Sequence, residues 1–391
     1  MDAALLERRY LRTTKFFLHL AGIWPDQNKI TKYSVWTFTY ITLVSCTAAE
    51  VARIVHICST DVIVEESPFI CASLVLLLKQ ANYIFNVTKL KSLLSGMYKD
   101  WAVNRSKEEV AIMSKYIARG SFLTTFYLVN SYVCCFLFLQ VPWTTRLLDM
   151  LKSGNTTPTL VYVVPGYYFT EDEYKYYYYI QIHMSLAIIL TVIVFVACDS
   201  SYTILVHHAC GLMGVAGYRL KHAINHPSFG MKNSERLMQE TYRRICFSIE
   251  AHQRAIEYLE EIEDAHVIYL FICVGLVISC FTITLVKVVT MQVSVDFYKY
   301  CSFLIVQLMH LFYLMIQGQF ITNTTDEIYN TIYEALWYES NTKSQMMYVL
   351  VLRRSLTPPR LTAGGLINLN LQSFMEVLKL SVSYYTVLRS V

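Results

Sequence analysis

Long apolar stretches alternate with charged ones along this chain, and seven of the apolar stretches are long enough to cross a lipid bilayer. A transmembrane helix needs roughly 20 predominantly apolar residues. The predicted spans are 33–57, 68–87, 121–141, 180–210, 266–289, 298–321 and 366–388. The fourth weakens near its end, where Asp199, His207 and His208 interrupt the apolar residues. The pattern predicts an all-α membrane protein with seven transmembrane helices.

Lysine and arginine fall mostly on one side of these seven spans. The segments 1–32, 88–120, 211–265 and 322–365 together hold 24 of them, whereas the segments on the other side hold 5. Segments rich in these residues stay in the cytosol. We therefore expect a cytosolic N-terminus without a signal peptide and an extracellular C-terminus. This orientation is the reverse of that of a G-protein-coupled receptor.

Composition supports the membrane class and excludes several others. Of the 391 residues, 55% are hydrophobic and only 16% are charged, too few to cover the surface of a soluble domain. The net charge of +4 is too small to indicate nucleic-acid binding. The 11 cysteines have no zinc-type spacing, and we expect neither a metal nor a cofactor.

The loop between the third and fourth spans falls on the predicted outer side. It contains the sequon "NTT" at Asn155, the one acceptor site for N-glycosylation on that side. The following stretch, "VYVVPGYYFTEDEYKYYYYIQIHM", is rich in tyrosine. These tyrosines fit an aromatic belt at the membrane surface, which we favour, or part of a lid over a ligand site.

Two charged stretches on the cytosolic side have helical periodicity. Residues 234–264 contain no proline or glycine and should run directly into the fifth span. Residues 326–355 should continue the sixth span until Pro358 and Pro359 break the helix. Their apolar faces must pack on each other or on a neighbouring subunit. We favour an anchor between subunits, and packing within one chain stays open.

These elements divide the chain into six regions. They are the cytosolic N-terminal segment 1–32, spans one to four in 33–210, the cytosolic loop and helix 211–265, spans five and six in 266–321, the anchor helix and turn 322–363, and the last helix 364–391.

The last span carries a polar stripe. Gln372, Glu376, Lys379 and Ser383 are spaced so that they share one helix face. An unpaired charge at mid-membrane costs about 3 kcal/mol. The charged residues of the stripe, Glu376 and Lys379, therefore either form a buried ion pair between helices or, as we favour, line an aqueous path. Its next position is Val387, where a narrow apolar ring could act as a gate. One helix encloses no pore, so several subunits would have to contribute one each.

Short motifs give the chain a family resemblance. They are "GIWP" at 22–25, "LTAGG" at 361–365, "SFMEVLK" at 373–379 and "SYYTVLRS" at 383–390. The chain thereby resembles the insect odorant receptors. The resemblance implies a tetrameric, ligand-gated, non-selective cation channel with a cytosolic anchor and a pore lined by the seventh span. The implied pore and gate residues are Gln372, Glu376, Lys379, Ser383, Val387 and Ser390.

The resemblance also implies partners and a location. Most odour-tuned members work with a common co-receptor, which has a longer loop between the fourth and fifth spans. That loop has about 55 residues here, so this chain resembles a tuning subunit that would form a heterotetramer with the co-receptor. The expected location is the plasma membrane, in the dendrite of olfactory sensory neurons.

A ligand pocket is implied in the outer half of the membrane, between spans two, three, four and six. The candidate lining residues are Ile70, Ser73, Leu74, Ser131, Cys134, Phe138, His183, Met184, Ala187, Ile188, Tyr300, Phe303 and Leu304. Ordinary helix packing is the alternative explanation for each. A pocket with such walls selects its ligands by shape and apolar contact, which suits a small apolar volatile molecule.

Three other functions remain as alternatives. A gustatory-receptor-like channel would usually end in a Thr-Tyr-x5-Gln-Phe pattern, which is absent. A transporter would have inverted repeats, and we find no internal repeat. An enzyme would need a convergent constellation, for which Asp199, His207 and His208 are the only candidates; solvated or packed polar residues explain them more simply.

Overall fold

A computed structural model describes residues 6–151, 160–170, 172–224 and 234–390, with the backbone alone at 149, 234, 237, 295 and 387–390. Within these ranges the chain forms eleven α-helices and one two-stranded hairpin. The helices are α1 (Arg12–Leu20), α2 (Lys29–Ile57), α3 (Thr60–Phe85), α4 (Val87–Ala102), α5 (Lys107–Leu139), α6 (Val141–Leu151), α7 (Glu173–His222), α8 (Ser234–Thr290), α9 (Val295–Tyr333), α10 (Thr342–Ser355) and α11 (Leu371–Ser390). The hairpin pairs β1 (Thr362–Ala363) with β2 (Ile367–Asn368), antiparallel. A π-helical turn, Glu7–Leu11, precedes α1.

The predicted spans fall on α2, α3, α5, α7, α8, α9 and α11. In the part of the chain that the structure describes, five helical stretches are long and apolar enough to cross a membrane by length and composition: Lys29–Ile57, Lys107–Leu148, Glu173–His222, Met238–Thr290 and Asp296–Glu339. The other two predicted spans lie in α3 and α11, which carry ionisable residues such as Lys79 and Glu376 within them.

Helix α7 is the centre of the bundle. Every residue from 196 to 213 is buried, on all faces of the helix, because α3, α5, α8 and α9 pack around it. A helix buried on all sides needs no polar face, which explains the long apolar run of the fourth span. The polar residues that interrupt this run, Asp199, His207 and His208, are therefore buried as well.

The predicted start of the seventh span was wrong. The helix begins at Leu371 and not at residue 366, because the preceding residues form the hairpin. Gly364 and Gly365 make its turn with φ angles of +67° and +71°, which favour glycine. The Asn370 side chain then accepts a hydrogen bond from the Ser373 backbone N–H at 2.8 Å and caps the new helix.

The two helical stretches predicted to be cytosolic agree with one prediction and correct another. Helix α8 runs without a break from residue 234 through the fifth span, as predicted. The sixth span does not continue as one helix to Pro358, because α9 ends at Tyr333 and α10 begins only at Thr342. Asn341 caps α10 by accepting a hydrogen bond from the Ser344 N–H at 2.9 Å. A capping side chain thus starts a second helix before the prolines are reached.

Candidate ligand cavity and pore helix

A cavity of about 180 Å³ lies inside the bundle, between α2, α3, α5, α7, α8 and α9. Most of its lining side chains are apolar. A dry apolar cavity of about 150 Å³ holds a benzene molecule in another protein. The volume and the lining therefore suit a small organic molecule.

Eight of the thirteen predicted pocket residues line this cavity. They are Ser73, Ser131, Cys134, Phe138, Met184, Ala187, Ile188 and Phe303. Whether they touch a ligand stays a prediction.

The other five predicted residues, Ile70, Leu74, His183, Tyr300 and Leu304, are not among those that line it. Leu74 is 41% exposed, because one residue along a helix turns the side chain by about 100° away from Ser73. The Tyr300 ring packs 5.9 Å from the ring of Phe69. The Tyr168 hydroxyl forms a hydrogen bond with Nδ1 of His183 at 2.8 Å.

Sequence reasoning missed the contributions of α2 and α8 to the cavity wall. Leu43, Cys46 and Glu50 come from α2, and Val277 and Cys280 come from α8. Glu50 is the one residue of this set that gave a signal, because a carboxylate inside an apolar span marks a functional site by default.

One end of the cavity is formed by a buried polar network that joins four helices. Lys79 of α3 forms an ion pair with Asp199 of α7, and both side chains are buried. The Tyr127 hydroxyl of α5 donates a hydrogen bond to Asp199 Oδ2 at 2.9 Å. His310 of α9 places Nδ1 3.0 Å from the Tyr127 oxygen and 3.2 Å from Asp199 Oδ2. Since Tyr127 and His310 also line the cavity, a ligand would rest on this network.

Asp199, His207 and His208, the residues considered as a possible enzyme site, do not come together in one place. Asp199 is held by Lys79 in the network, whereas His208 Nε2 lies 3.2 Å from Asp100 Oδ2 on α4. The ring of His207 packs against Phe320 and has no hydrogen-bond partner in the described residues. These three side chains therefore have separate structural surroundings.

The loop before α7 covers the other end of the cavity, which we call the outer end after the predicted orientation. The Tyr167 N–H donates to the Ala49 carbonyl of α2 at 2.9 Å, and Val164 lines the cavity. A Cβ atom on Gly166 would lie 2.7 Å from Met184 Cε, so the loop backbone packs closely on a side chain of the cavity wall. The loop therefore covers this end of the cavity, as the lid interpretation requires. Exposed rings at the start of α7, such as Tyr179, fit the aromatic belt, and both interpretations stay predictions.

Helix α11 packs through its apolar side and leaves its polar stripe exposed in the single protomer. The Phe374 ring meets that of Phe312 at 5.5 Å, and Val377 is buried. Gln372, Glu376, Lys379 and Ser383 are all exposed. Gln372 Nε2 donates to Glu376 Oε1 at 2.9 Å, and no ion pair joins Glu376 to Lys379 in the described residues. The side chains of Val387 and Ser390, and the whole of Asn155, lie outside the described residues.

Comparison with known proteins decides the family. Residues 59–382 match the family model described as 7tm Odorant receptor. This chain belongs to the odorant receptor family. Odorant receptor 13a of Drosophila melanogaster is 24% identical over 410 residues, which cover 96% of this chain and 94% of that protein. Putative odorant receptor 85d of the same organism is 24% identical over 88 residues, 22% of this chain and 21% of that one.

Solved structures give this odorant receptor the same fold. The olfactory receptor OR5 of Machilis hrabei in complex with eugenol superposes with a TM-score of 0.82 at 12% identity, over 100% of both chains. A second structure of the same receptor superposes with a TM-score of 0.76 at 13% identity, over 99% of each chain. The prediction of an all-α, seven-helix odorant receptor fold is therefore confirmed.

The odorant receptor also has a direct connection between the cavity and the polar helix. Helix α9 carries Phe303 and His310 in the cavity wall, and about two turns further it carries Gly318. At Gly318 the backbone lies against the residues that precede α11, and the neighbouring Gln319 Oε1 accepts a hydrogen bond from the Leu371 N–H at 3.2 Å. A displacement of α9 at the cavity would therefore reach the start of α11.

Proposed function

We propose that this odorant receptor is the odour-tuned subunit of a ligand-gated, non-selective cation channel in the plasma membrane. A small volatile molecule binds in the cavity, and α11 lines a central pore shared with other subunits, including the co-receptor. The observation that carries the proposal is the combination of an apolar cavity and an exposed polar stripe, joined by α9.

Burial of apolar surface supplies the binding energy for the ligand. A volatile molecule that buries ~300 Å² gains on the order of 7 kcal/mol before the costs of association. The resulting affinity is no better than roughly micromolar. Binding opens the channel only if the ligand prefers the open state, since equal affinity for both states shifts nothing.

The polar stripe supports the pore assignment. Glu376 and Lys379 are exposed in the protomer, where contact with acyl chains would cost several kcal/mol for each charge. A water-filled axis between subunits removes that cost. Val387 then closes the outer end of the stripe, as an apolar ring that excludes water when it is narrow.

The cation current itself is the direct test. Cells expressing this chain with the co-receptor, the co-receptor alone, or this chain alone would be exposed to a panel of volatiles under voltage clamp. We expect odour-evoked cation current that depends on this chain and reverses near 0 mV in physiological solutions, as a non-selective pore requires. Uphill uptake of a substrate without such a current would favour a transporter and overturn the proposal.

Orientation has a separate test at Asn155. If the loop that contains Asn155 is extracellular, the chain carries an N-linked glycan there, and a glycosidase shifts its mobility on a gel. Asn155→Gln removes the shift, whereas Asn104→Gln, at a sequon on the predicted cytosolic side, leaves it unchanged. Glycosylation at Asn104 instead would reverse the orientation.

A further inference from the structure

Two side chains of α9 bring unpartnered polar atoms to the cavity. Gln307 and His310 lie one turn apart and both line it. Both are buried, and Gln307 Oε1 and His310 Nε2 have no hydrogen-bond partner among the described residues. Buried polar atoms are nearly always paired in native proteins, so these two atoms await a partner from outside the chain.

The surroundings of Gln307 fix which end of its amide is unpartnered. The Thr284 hydroxyl donates to the Cys280 carbonyl at 2.7 Å, and the Cys280 thiol donates to the Pro68 carbonyl at 3.1 Å. With their hydrogens used, Thr284 Oγ1 and Cys280 Sγ can only accept, and Gln307 Nε2 lies 3.1 and 3.0 Å from them. The NH₂ group therefore faces these two atoms, and the free atom of Gln307 is its carbonyl oxygen, an acceptor.

The network below the cavity fixes the tautomer of His310 in the same way. A carboxylate only accepts, so the Tyr127 hydroxyl gives its hydrogen to Asp199 Oδ2. Nδ1 of His310 then faces the Tyr127 oxygen and Asp199 Oδ2, two acceptors, and must itself carry a hydrogen. Lys79 already neutralises Asp199, and a second proton on the ring would leave a net charge in an apolar site. The ring is therefore neutral, and Nε2 is a free acceptor.

We propose that the cavity selects volatile molecules that carry a hydrogen-bond donor, namely alcohols and phenols, whose hydroxyl donates to Gln307 Oε1 or His310 Nε2. An ether or ester of the same skeleton has no hydrogen to donate to these two acceptors and leaves both of them unpaired. The inference rests on the proposed function in one respect, that the cavity is the odorant site; it adds the chemical class of the odorant.

The test compares hydroxyl compounds with their methyl ethers, which keep the skeleton and lose the donor. The pairs are 2-phenylethanol and its methyl ether, and 4-methylphenol and 4-methylanisole. Binding to the purified full-length chain in detergent is followed by the ligand-dependent rise of the unfolding temperature. We expect the apparent Kd of at least one hydroxyl compound to be about tenfold or more below that of its ether.

Three variants assign the preference to these atoms. Gln307→Leu and His310→Phe keep the side-chain bulk and remove an acceptor, and at least one of them should reduce the hydroxyl-to-ether ratio to within about threefold. Thr331→Ala is the control: it lies about six turns further along α9, where its hydroxyl donates to the Glu327 carbonyl at 2.8 Å. It should leave the ratio unchanged.

The outcomes separate this inference from the channel proposal. A panel in which no hydroxyl compound binds better than its ether, or in which both cavity variants keep the full preference, overturns the inference. Odour-evoked currents without that preference overturn the inference alone and leave the channel standing. A binding preference that the variants abolish, in a chain that never carries current, supports the inference and removes the channel.

Discussion

Gly318 of α9 lies directly against the Leu369 carbonyl that precedes α11, so closely that a Cβ atom on Gly318 would sit 1.8 Å from that oxygen. The contact is between two backbones, and neither can move aside as a side-chain end could. It joins the helix that lines the cavity to the helix that carries the polar stripe. In our account this junction transmits ligand binding to the pore.

Replacing Gly318 with alanine should therefore separate the two helices. Overpacking of this kind costs about 1–3 kcal/mol or more, because the clash is with backbone. We expect Gly318→Ala to lower the unfolding temperature in detergent and to reduce odour-evoked current at equal surface expression. Gly275→Ala is the matched control, since nothing lies within 4 Å of its Cβ position. If both variants behave like the wild type, the junction carries no coupling.

The ion pair between Lys79 and Asp199 should be costly to break from one side. Removing one partner of a buried pair typically costs about 3–5 kcal/mol, because the remaining charge is left unpaired. We expect Lys79→Met and Asp199→Leu each to lower the unfolding temperature strongly. The double variant Lys79→Met/Asp199→Leu should recover part of the loss, as no charge remains. Losses that simply add in a double-mutant cycle would show that the two residues are not coupled.

Near the start of α5, Glu109 should make the stability of the fold depend on pH. It caps α5 with Ser106, and Arg219 of α7 donates to its Oε2 at 3.2 Å. Burial alone would raise the pKa of Glu109, but the hydrogen bond and charge of Arg219 outweigh it and bring the pKa below its ordinary value. A depressed pKa stabilises the fold above the unfolded value, about 4.3, and this contribution is lost as the pH falls through the folded value.

The corresponding measurement compares wild type and Glu109→Gln by thermal unfolding at pH 7 and pH 4. The variant should be less stable at pH 7, and the difference should shrink at pH 4. Glu240→Gln is the control, since Glu240 pairs with Arg244 on the exposed surface, where such pairs contribute at most about 1 kcal/mol. A difference that is the same at both pH values would exclude the ionised carboxylate as its source.

Apolar periodicity predicted the helices well because it depends only on local sequence. The continuous helix α8 and the polar stripe of α11 follow from spacing alone. The break before α10 could not be predicted from spacing. It depends on the helix cap at Asn341, which interrupts a stretch whose apolar residues keep helical spacing.

The cavity was only partly predictable for a different reason. Ser73 and Leu74 differ by one position, and their side chains point in different directions, so an error of one residue moves a candidate out of the wall. Gln307 and His310 were missed because their free atoms are recognised only once the partners of their other atoms are known. That information lies in tertiary contacts with α5, α7 and α8.

The proposed channel requires above all that the polar stripe of α11 faces water when the pore is open. Cysteine accessibility tests this claim most directly, with Ser383→Cys on the stripe and Val382→Cys, exposed on an apolar face, as the control. Cells that co-express each variant with the co-receptor receive a charged methanethiosulfonate reagent during odour application. We predict that the reagent changes the current through Ser383→Cys within the application and leaves Val382→Cys and wild type unchanged. Full labelling of Ser383→Cys with no change in current would contradict the account.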